Sequence, residues 1–171
     1  MENRILVTYA SKGQSTAEVA AYMGQIIAQH DLPVDVLPVH RVSSLEPYAA
    51  VILGSAVRMG SVLPEARKFV EQHQGALRHK PFHVFVLCVT LSIDNDETRT
   101  TANACLEPLC ALVPPASQGL FAGVVDPGRV GPLDRLIIKA VKAPLGDFRR
   151  WDEIGAWTEE ALQKSLAVAQ G

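Results

Sequence analysis

The chain predicts an α/β fold: a five-stranded parallel sheet of order 2-1-3-4-5 with helices on both faces, a three-layer sandwich, read as one domain over residues 1–171. Three observations lead there. Apolar runs alternate with helical periods along the whole chain. Two of those runs are apolar almost throughout, as central parallel strands covered on both faces must be. A small, hydroxyl-rich loop follows the first run and opens directly into a helical pattern. Strands alternating with helices connect through right-handed crossovers, and this winding binds ligands beyond the carboxyl ends of strands 1, 3 and 4.

The first strand is read over 4–9, around Ile5-Leu6-Val7. A helix follows from about 15 to 30, because Val19, Met23, Ile26 and Ile27 recur at offsets of 0, 4, 7 and 8 and share a face. The second strand covers 34–39 and the third 49–54, where Ala50-Val51-Ile52-Leu53-Gly54 is nearly unbroken. Pro64 suits the first turn of a helix over 64–73 that carries Ala66, Phe69 and Val70. The fourth strand, 82–90, contains His83-Val84-Phe85-Val86-Leu87-Cys88-Val89. A weaker helix over 97–112 is expected to break at Pro108 or at Pro114-Pro115. The fifth strand covers 119–125, and a helix over 151–169, with Ile154, Trp157, Ala161, Leu162 and Leu166, closes the chain.

One segment exceeds this minimum. Pro132 fits a first helical position, and Leu133, Leu136, Ile137, Ala140 and Val141 form a stripe, predicting an extra amphipathic helix at about 132–143. From 129 to 150 six basic residues (Arg129, Arg135, Lys139, Lys142, Arg149, Arg150) face two acidic ones (Asp134, Asp147). Two readings stay open: a helix docking its stripe on the domain with solvated charges outside, or a basic face that meets an anionic partner.

Composition narrows the function classes. With 48% apolar and 20% charged residues the chain can build a core. A net charge of −2, without aromatic–basic interleaving, gives no footprint for nucleic acid. It also lacks the strong negative charge of a carrier that docks electrostatically on many partners. No secretory signal and no run of about 18 apolar residues is visible, so a cytoplasmic protein is expected. Cys88, Cys105 and Cys110 show no CxxC spacing and the five histidines no HxxxH pair, so no metal site is expected. Cys88 reads as a small core residue.

Three loops fall at the expected ligand end. In Ser11-Lys12-Gly13-Gln14-Ser15-Thr16, hydroxyls and backbone N–H groups converge beside the positive end of a helix dipole, a ready phosphate site. Ser15-Thr16-Ala17-Glu18 is equally a capping box that needs no ligand. The loop is neither a Walker sequence nor a GxGxxG fingerprint, since Gly13 stands alone. After strand 3, Gly54-Ser55-Ala56-Val57-Arg58-Met59-Gly60-Ser61 lets backbone approach a flat ligand, with Arg58 and Met59 at its border, or is an ordinary loop with an exposed arginine. After strand 4, Thr90-Leu91-Ser92-Ile93-Asp94-Asn95-Asp96 offers polar groups to a heterocycle, or caps the next helix through Asp94 or Asp96.

Three motifs carry a resemblance. Tyr9-Ala10-Ser11-Lys12-x-x-Ser15-Thr16-x-Glu18-Val19-Ala20, Val51-Ile52-Leu53-Gly54-Ser55-Ala56-Val57-Arg58-Met59-Gly60 and Gly146-Asp147-Phe148-Arg149-x-Trp151-Asp152-x-Ile154-x-x-Trp157 resemble the flavodoxin-domain family, which includes short protoporphyrinogen dehydrogenases linked to quinone (menaquinone). The likeness implies a flavodoxin-like fold that binds FMN. Ser11, Lys12, Gly13, Gln14, Ser15 and Thr16 would surround the phosphate; Ala56, Val57, Arg58, Met59 and Gly60, with Thr90, Leu91 and Ser92, would flank the ring. It further implies electron transfer from a small organic reductant, such as a porphyrinogen, to a quinone, with Arg58 the candidate catalytic group. The segment 129–150 resembles the region that meets substrate or membrane, implying peripheral contact at the inner face of the membrane. Two departures stand out. Gln14 occupies the place of a customary glycine, and neither ring-flanking loop holds an aromatic residue. Three classes therefore follow: an FMN oxidoreductase, an electron carrier, and a module of the same shape that has lost FMN and serves as a partner.

Overall fold

The computed structural model describes residues 3–140 and 144–171. Five strands form the main sheet: β1 (Ile5–Ala10), β2 (Val34–Pro38), β3 (Ala50–Arg58), β5 (Phe82–Cys88) and β6 (Ser117–Ala122). They lie in the order β2-β1-β3-β5-β6, all parallel, as expected. Short β4 (Ser61–Val62) folds back antiparallel on the end of β3, and β7 (Val124–Val125) pairs with β8 (Gly146–Asp147) apart from the sheet. The helices are α1 (Ser15–Ala28), α2 (Pro64–Leu77), α3 (Asp96–Leu112), α4 (Pro132–Ala140) and α5 (Trp151–Ala169). The extra helix expected at about 132–143 is thus present to Ala140; Val141, Lys142 and Ala143 lie outside the described residues.

Strand alternation divides the core. Ile5, Val7, Ile52, Phe85 and Leu87 meet Val19, Met23 and Ile27 of α1 and Ile154, Ala161 and Leu162 of α5. Leu6, Val51, Leu53, Val84 and Val86 meet Phe69 and Val70 of α2 and Leu106 and Leu109 of α3 on the other face. This double coverage is why β3 and β5 read as continuous apolar runs. Of the two breaks expected, the one at Pro108 does not occur: helix α3 runs through it to Leu112 and ends just before Pro114-Pro115, the other expected place. Burial of Leu106 and Leu109 on either side of the proline offsets the lost hydrogen bond, a cost of about 3 kcal/mol.

One close approach fixes the sheet on the α1/α5 face. The Phe85 ring lies against Gly54, where an added Cβ would fall 2.0 Å from Cζ. That ring meets Phe121 and Trp157 at centroid distances of 6.2 and 6.0 Å. Beside it His83 is fully buried, with Nδ1 at 2.7 Å from Ser117 Oγ and Nε2 at 2.9 Å from Ser165 Oγ. Burial pushes its imidazole down to about 4, with the Lys164 charge adding to the effect and that of Glu160 opposing it.

A pH dependence follows. The unfolded chain takes up this proton near pH 6.5 while the folded chain resists until about 4. Stability from His83 is complete above pH 6.5 and is lost as the pH falls through that window. The expected loss is on the order of 3 kcal/mol, at about 1.4 kcal/mol per pH unit. Urea midpoints measured from pH 7 to pH 4 should show this slope, and the non-titrating variant His83→Gln should flatten it.

Candidate functional site

The carboxyl ends of β1, β3, β5 and β6 open into a cavity of about 410 Å³, at the place where the winding of the sheet reverses. From the loop after β1, Ser11, Lys12, Gly13, Ser15 and Thr16 border it; from the end of β3, Ala56, Val57, Arg58, Met59 and Gly60; after β5, Thr90. Gln14, Leu91 and Ser92 do not. Leu91 is instead buried in a small apolar cluster with Cys88, Ala102 and Ala122. Among the described residues no group of three or more His, Cys, Asp or Glu is placed to hold a metal ion.

The first loop turns tightly. Gln14 sits at φ 67°, ψ −13°, immediately before α1, and its carbonyl accepts from Glu18 N at 3.0 Å. A residue with a side chain costs about 1–2 kcal/mol in this left-handed conformation, which glycine adopts without that penalty. The expected capping box does not form. Ser15 is already the first helical residue, and no side chain caps the helix. Glu18 turns away to Arg129 and Arg149 instead. The hydroxyls this leaves behind are informative. Ser11 Oγ and Thr16 Oγ1 are buried with no hydrogen-bond partner among the described residues, and both residues border the cavity. Buried polar groups are rarely left so. Thr8 Oγ1 and Trp157 Nε1 are also unpaired, but neither residue borders the cavity.

The second loop is not a loop: β3 continues through Arg58 and turns back into β4. Met59 at φ 53° and Gly60 at φ 76° form its two-residue turn, with both residues left-handed, the geometry of a type I′ hairpin. Met59 projects at the tip, 81% exposed. Ser55 Oγ fixes the base of the hairpin, accepting from Leu63 N at 3.0 Å and donating to the Ala56 carbonyl at 2.7 Å. After β5 the chain forms a short 3-10 turn, Val89–Ser92. Neither Asp94 nor Asp96 caps α3; Asn95 does, in a reciprocal box with Thr98, while Asp94 pairs with Arg99 and Arg150.

The sequence left the cavity's fourth wall unassigned. Helix α4 lies across the opening: Asp134, Ile137 and Ile138 border the cavity, and Arg58 Nε donates to Asp134 Oδ1 at 2.8 Å. Of the two readings left open, docking of the stripe holds only in part: Ile137 faces the cavity while the leucines do not dock. Leu133 and Leu136 are 58% and 65% exposed, and no residue of α4 is fully buried. The positive charge of this region is largely committed internally. Arg129 pairs with Glu18 and Asp126, Arg149 with Glu18 and Asp147, and Arg150 with Asp94 and Glu153. Arg135 donates to the carbonyls of Pro127 and Val130. Lys12 is likewise engaged, 3.3 Å from Glu65 at the start of α2.

Chemically, one end of the cavity offers α1 N–H groups and two unpaired hydroxyls, a set that suits a phosphate. The rest is largely aliphatic, with Val57, Leu63, Leu87, Val124, Val130 and the two isoleucines of α4, interrupted by Thr90 and the Arg58–Asp134 pair. That combination accommodates an apolar ring carrying an anionic tail, as FMN does.

Comparison with known proteins identifies the fold and family. Residues 6–151 match the profile of the Flavodoxin domain. The chain is 22% identical over 169 residues to the quinone protoporphyrinogen IX dehydrogenase of Escherichia coli K12, covering 92% of this chain and 93% of that one. Oxidised flavodoxin 2 of Bacillus cereus superposes with a TM-score of 0.59 at 19% identity, over 94% of this chain and 99% of that one. A flavodoxin of Fusobacterium nucleatum bound to flavin mononucleotide gives 0.60 at 10% identity, over 95% and 98%. The chain belongs to the flavodoxin domain family.

Proposed function

We propose that this chain is an FMN-dependent oxidoreductase that moves electrons from a reduced organic donor, of the porphyrinogen type, to a quinone. The observation that carries the reading is the pair of buried hydroxyls of Ser11 and Thr16 at the start of α1, unpartnered among the described residues, in a cavity whose remaining wall is largely aliphatic apart from Lys12, Arg58, Thr90 and Asp134. The name of the Escherichia coli relative supplies the donor and acceptor.

In this reading Ser11, Lys12, Gly13, Ser15 and Thr16 hold the phosphate through side chains and N–H groups, on the turn that Gln14 shapes. Ala56 to Gly60 and Thr90 border the ring, with Ile137 and Ile138 excluding water from it. FMN supplies the redox chemistry when bound, and the protein supplies orientation and a dry site. Arg58, fixed by Asp134 at the cavity, aligns a polar edge of ring or substrate. The exposed Leu133 and Leu136 on α4 support contact of the 129–150 segment with the surface where a quinone is dissolved, from the cytoplasmic side. No helix among the described residues is long and apolar enough to cross a membrane.

Two measurements test this. The purified chain titrated with FMN should bind at micromolar concentration or tighter and take on the yellow of oxidised flavin. The loaded protein should then reduce a soluble quinone with turnover when supplied anaerobically with a porphyrinogen. Binding without turnover would make it a carrier. A colourless protein that refuses FMN would overturn the assignment.

A further inference from the structure

Glu18 poses a problem for any anion at the start of α1. A carboxylate in the first turn is itself the negative charge that the helix dipole favours, so it competes with a bound phosphate. Yet Glu18 does not border the cavity, whereas Ser15 and Thr16, three and two residues before it, do. Two arginines account for this. Arg129, from the short turn Pro127–Arg129, and Arg149, from the segment just before α5, both bond the Glu18 carboxylate. Although burial pushes that carboxyl up, the hydrogen bonds from Arg129 and Arg149 hold it below its usual range.

Arg149 is fixed on every side. Its side chain is only 5% exposed. Nε and Nη2 donate to Asp147 at 2.9 and 2.7 Å, and Nη1 donates to Glu18 at 3.1 Å and to the Ser15 carbonyl at 3.4 Å. The guanidinium also stacks on Trp151, 4.7 Å from the ring centroid. A bidentate, stacked arginine of this kind is a rigid peg rather than a mobile ligand. The backbone of Arg129 backs the same turn from outside: a Cβ on Gly13 would lie 3.2 Å from the Arg129 carbonyl.

We infer that Arg149, assisted by Arg129, is a positioning residue that draws the Glu18 carboxylate clear of the cavity, so that preference for phosphorylated over unphosphorylated flavin depends on a group that never touches the ligand. This rests on the phosphate reading of the first loop. Arg149→Gln leaves Asp147 with only its backbone bond from residue 149, removes one of the two arginines that hold Glu18, and returns negative charge to the mouth of the phosphate turn. A neutral ribityl end would not sense that charge; a dianion would.

The experiment compares dissociation constants for FMN and riboflavin, by flavin fluorescence quenching, in the wild type and in three variants. Arg149→Gln should weaken FMN about tenfold or more while leaving riboflavin within about twofold. Adding Glu18→Gln to it should recover most of the FMN affinity, because the offending charge is gone. Arg129→Gln, at a more exposed site, should shift the same ratio by less. Equal weakening of both ligands, or no recovery with Glu18→Gln, would overturn the inference by reducing Arg149 to a general support. Inorganic phosphate, followed by thermal shift of the ligand-free protein, separates the two proposals. Should the wild type refuse FMN yet be stabilised by phosphate, the cofactor assignment falls, and loss of the phosphate effect in Arg149→Gln decides the positioning role. A wild type stabilised by neither overturns both.

Discussion

Ser15→Asp is expected to abolish FMN retention while leaving the fold intact or slightly firmer. Ser15 is the first residue of α1 and borders the cavity. A carboxylate there faces the dianion at contact range, where each pair of like charges costs about 1 kcal/mol in water and about 4 at an effective dielectric constant of 20. The site is half-buried, so a loss of affinity on the order of a hundredfold follows. Stability moves the other way, because aspartate in a first helical turn gains about 0.3–1 kcal/mol from the dipole. Equilibrium dialysis with FMN and a urea melt check the two halves. The affinity loss should shrink as salt is raised. Unchanged flavin occupancy would remove Ser15 from the pocket.

Gly54→Ala is expected to cost about 3 kcal/mol, near the upper end for overpacking. The new methyl would lie 2.0 Å from Phe85 Cζ and 2.5 Å from both Cε atoms. The ring has nowhere to retreat, since Phe121 and Trp157 close on it and β5 is covered on both faces. For a chain of this length the melting temperature should drop by roughly 6–12 °C. Gly75→Ala is the control: nothing lies within 4 Å of its added Cβ, on α2, so it should gain up to about 1 kcal/mol. A full recovery of the Gly54 variant's melting temperature is not expected from Phe85→Leu, but a partial one is, because the smaller side chain relieves the overlap while leaving a void.

The five parallel strands and their order were legible because burial on both faces imposes long apolar runs that survive in the sequence. The first loop was legible for a similar reason: hydroxyls crowd one short turn after a strand. The β3–β4 hairpin was not. Its turn is Met59-Gly60, and a methionine where asparagine or aspartate is usual conceals the type I′ signal. The face that α4 presents to the cavity was also hidden. Apolar spacing identifies a helix, but Leu133 and Leu136 match that spacing as well as Ile137 does, and only the fold decides which of them meets solvent. The capping box failed on a long-range pairing: Glu18 finds partners 111 and 131 residues away, which local pattern cannot foresee.

Helix α4 places no side chain in either large core, and one ion pair at 2.8 Å ties it to the hairpin across the opening. Such an element can detach by local opening at a free energy far below that of global unfolding. How readily molecules enter and leave is thereby set by a handful of surface contacts. The durability of the scaffold is set elsewhere, by the sheet and the four helices that sandwich it, so exchange kinetics and thermal resistance are separate properties of this chain.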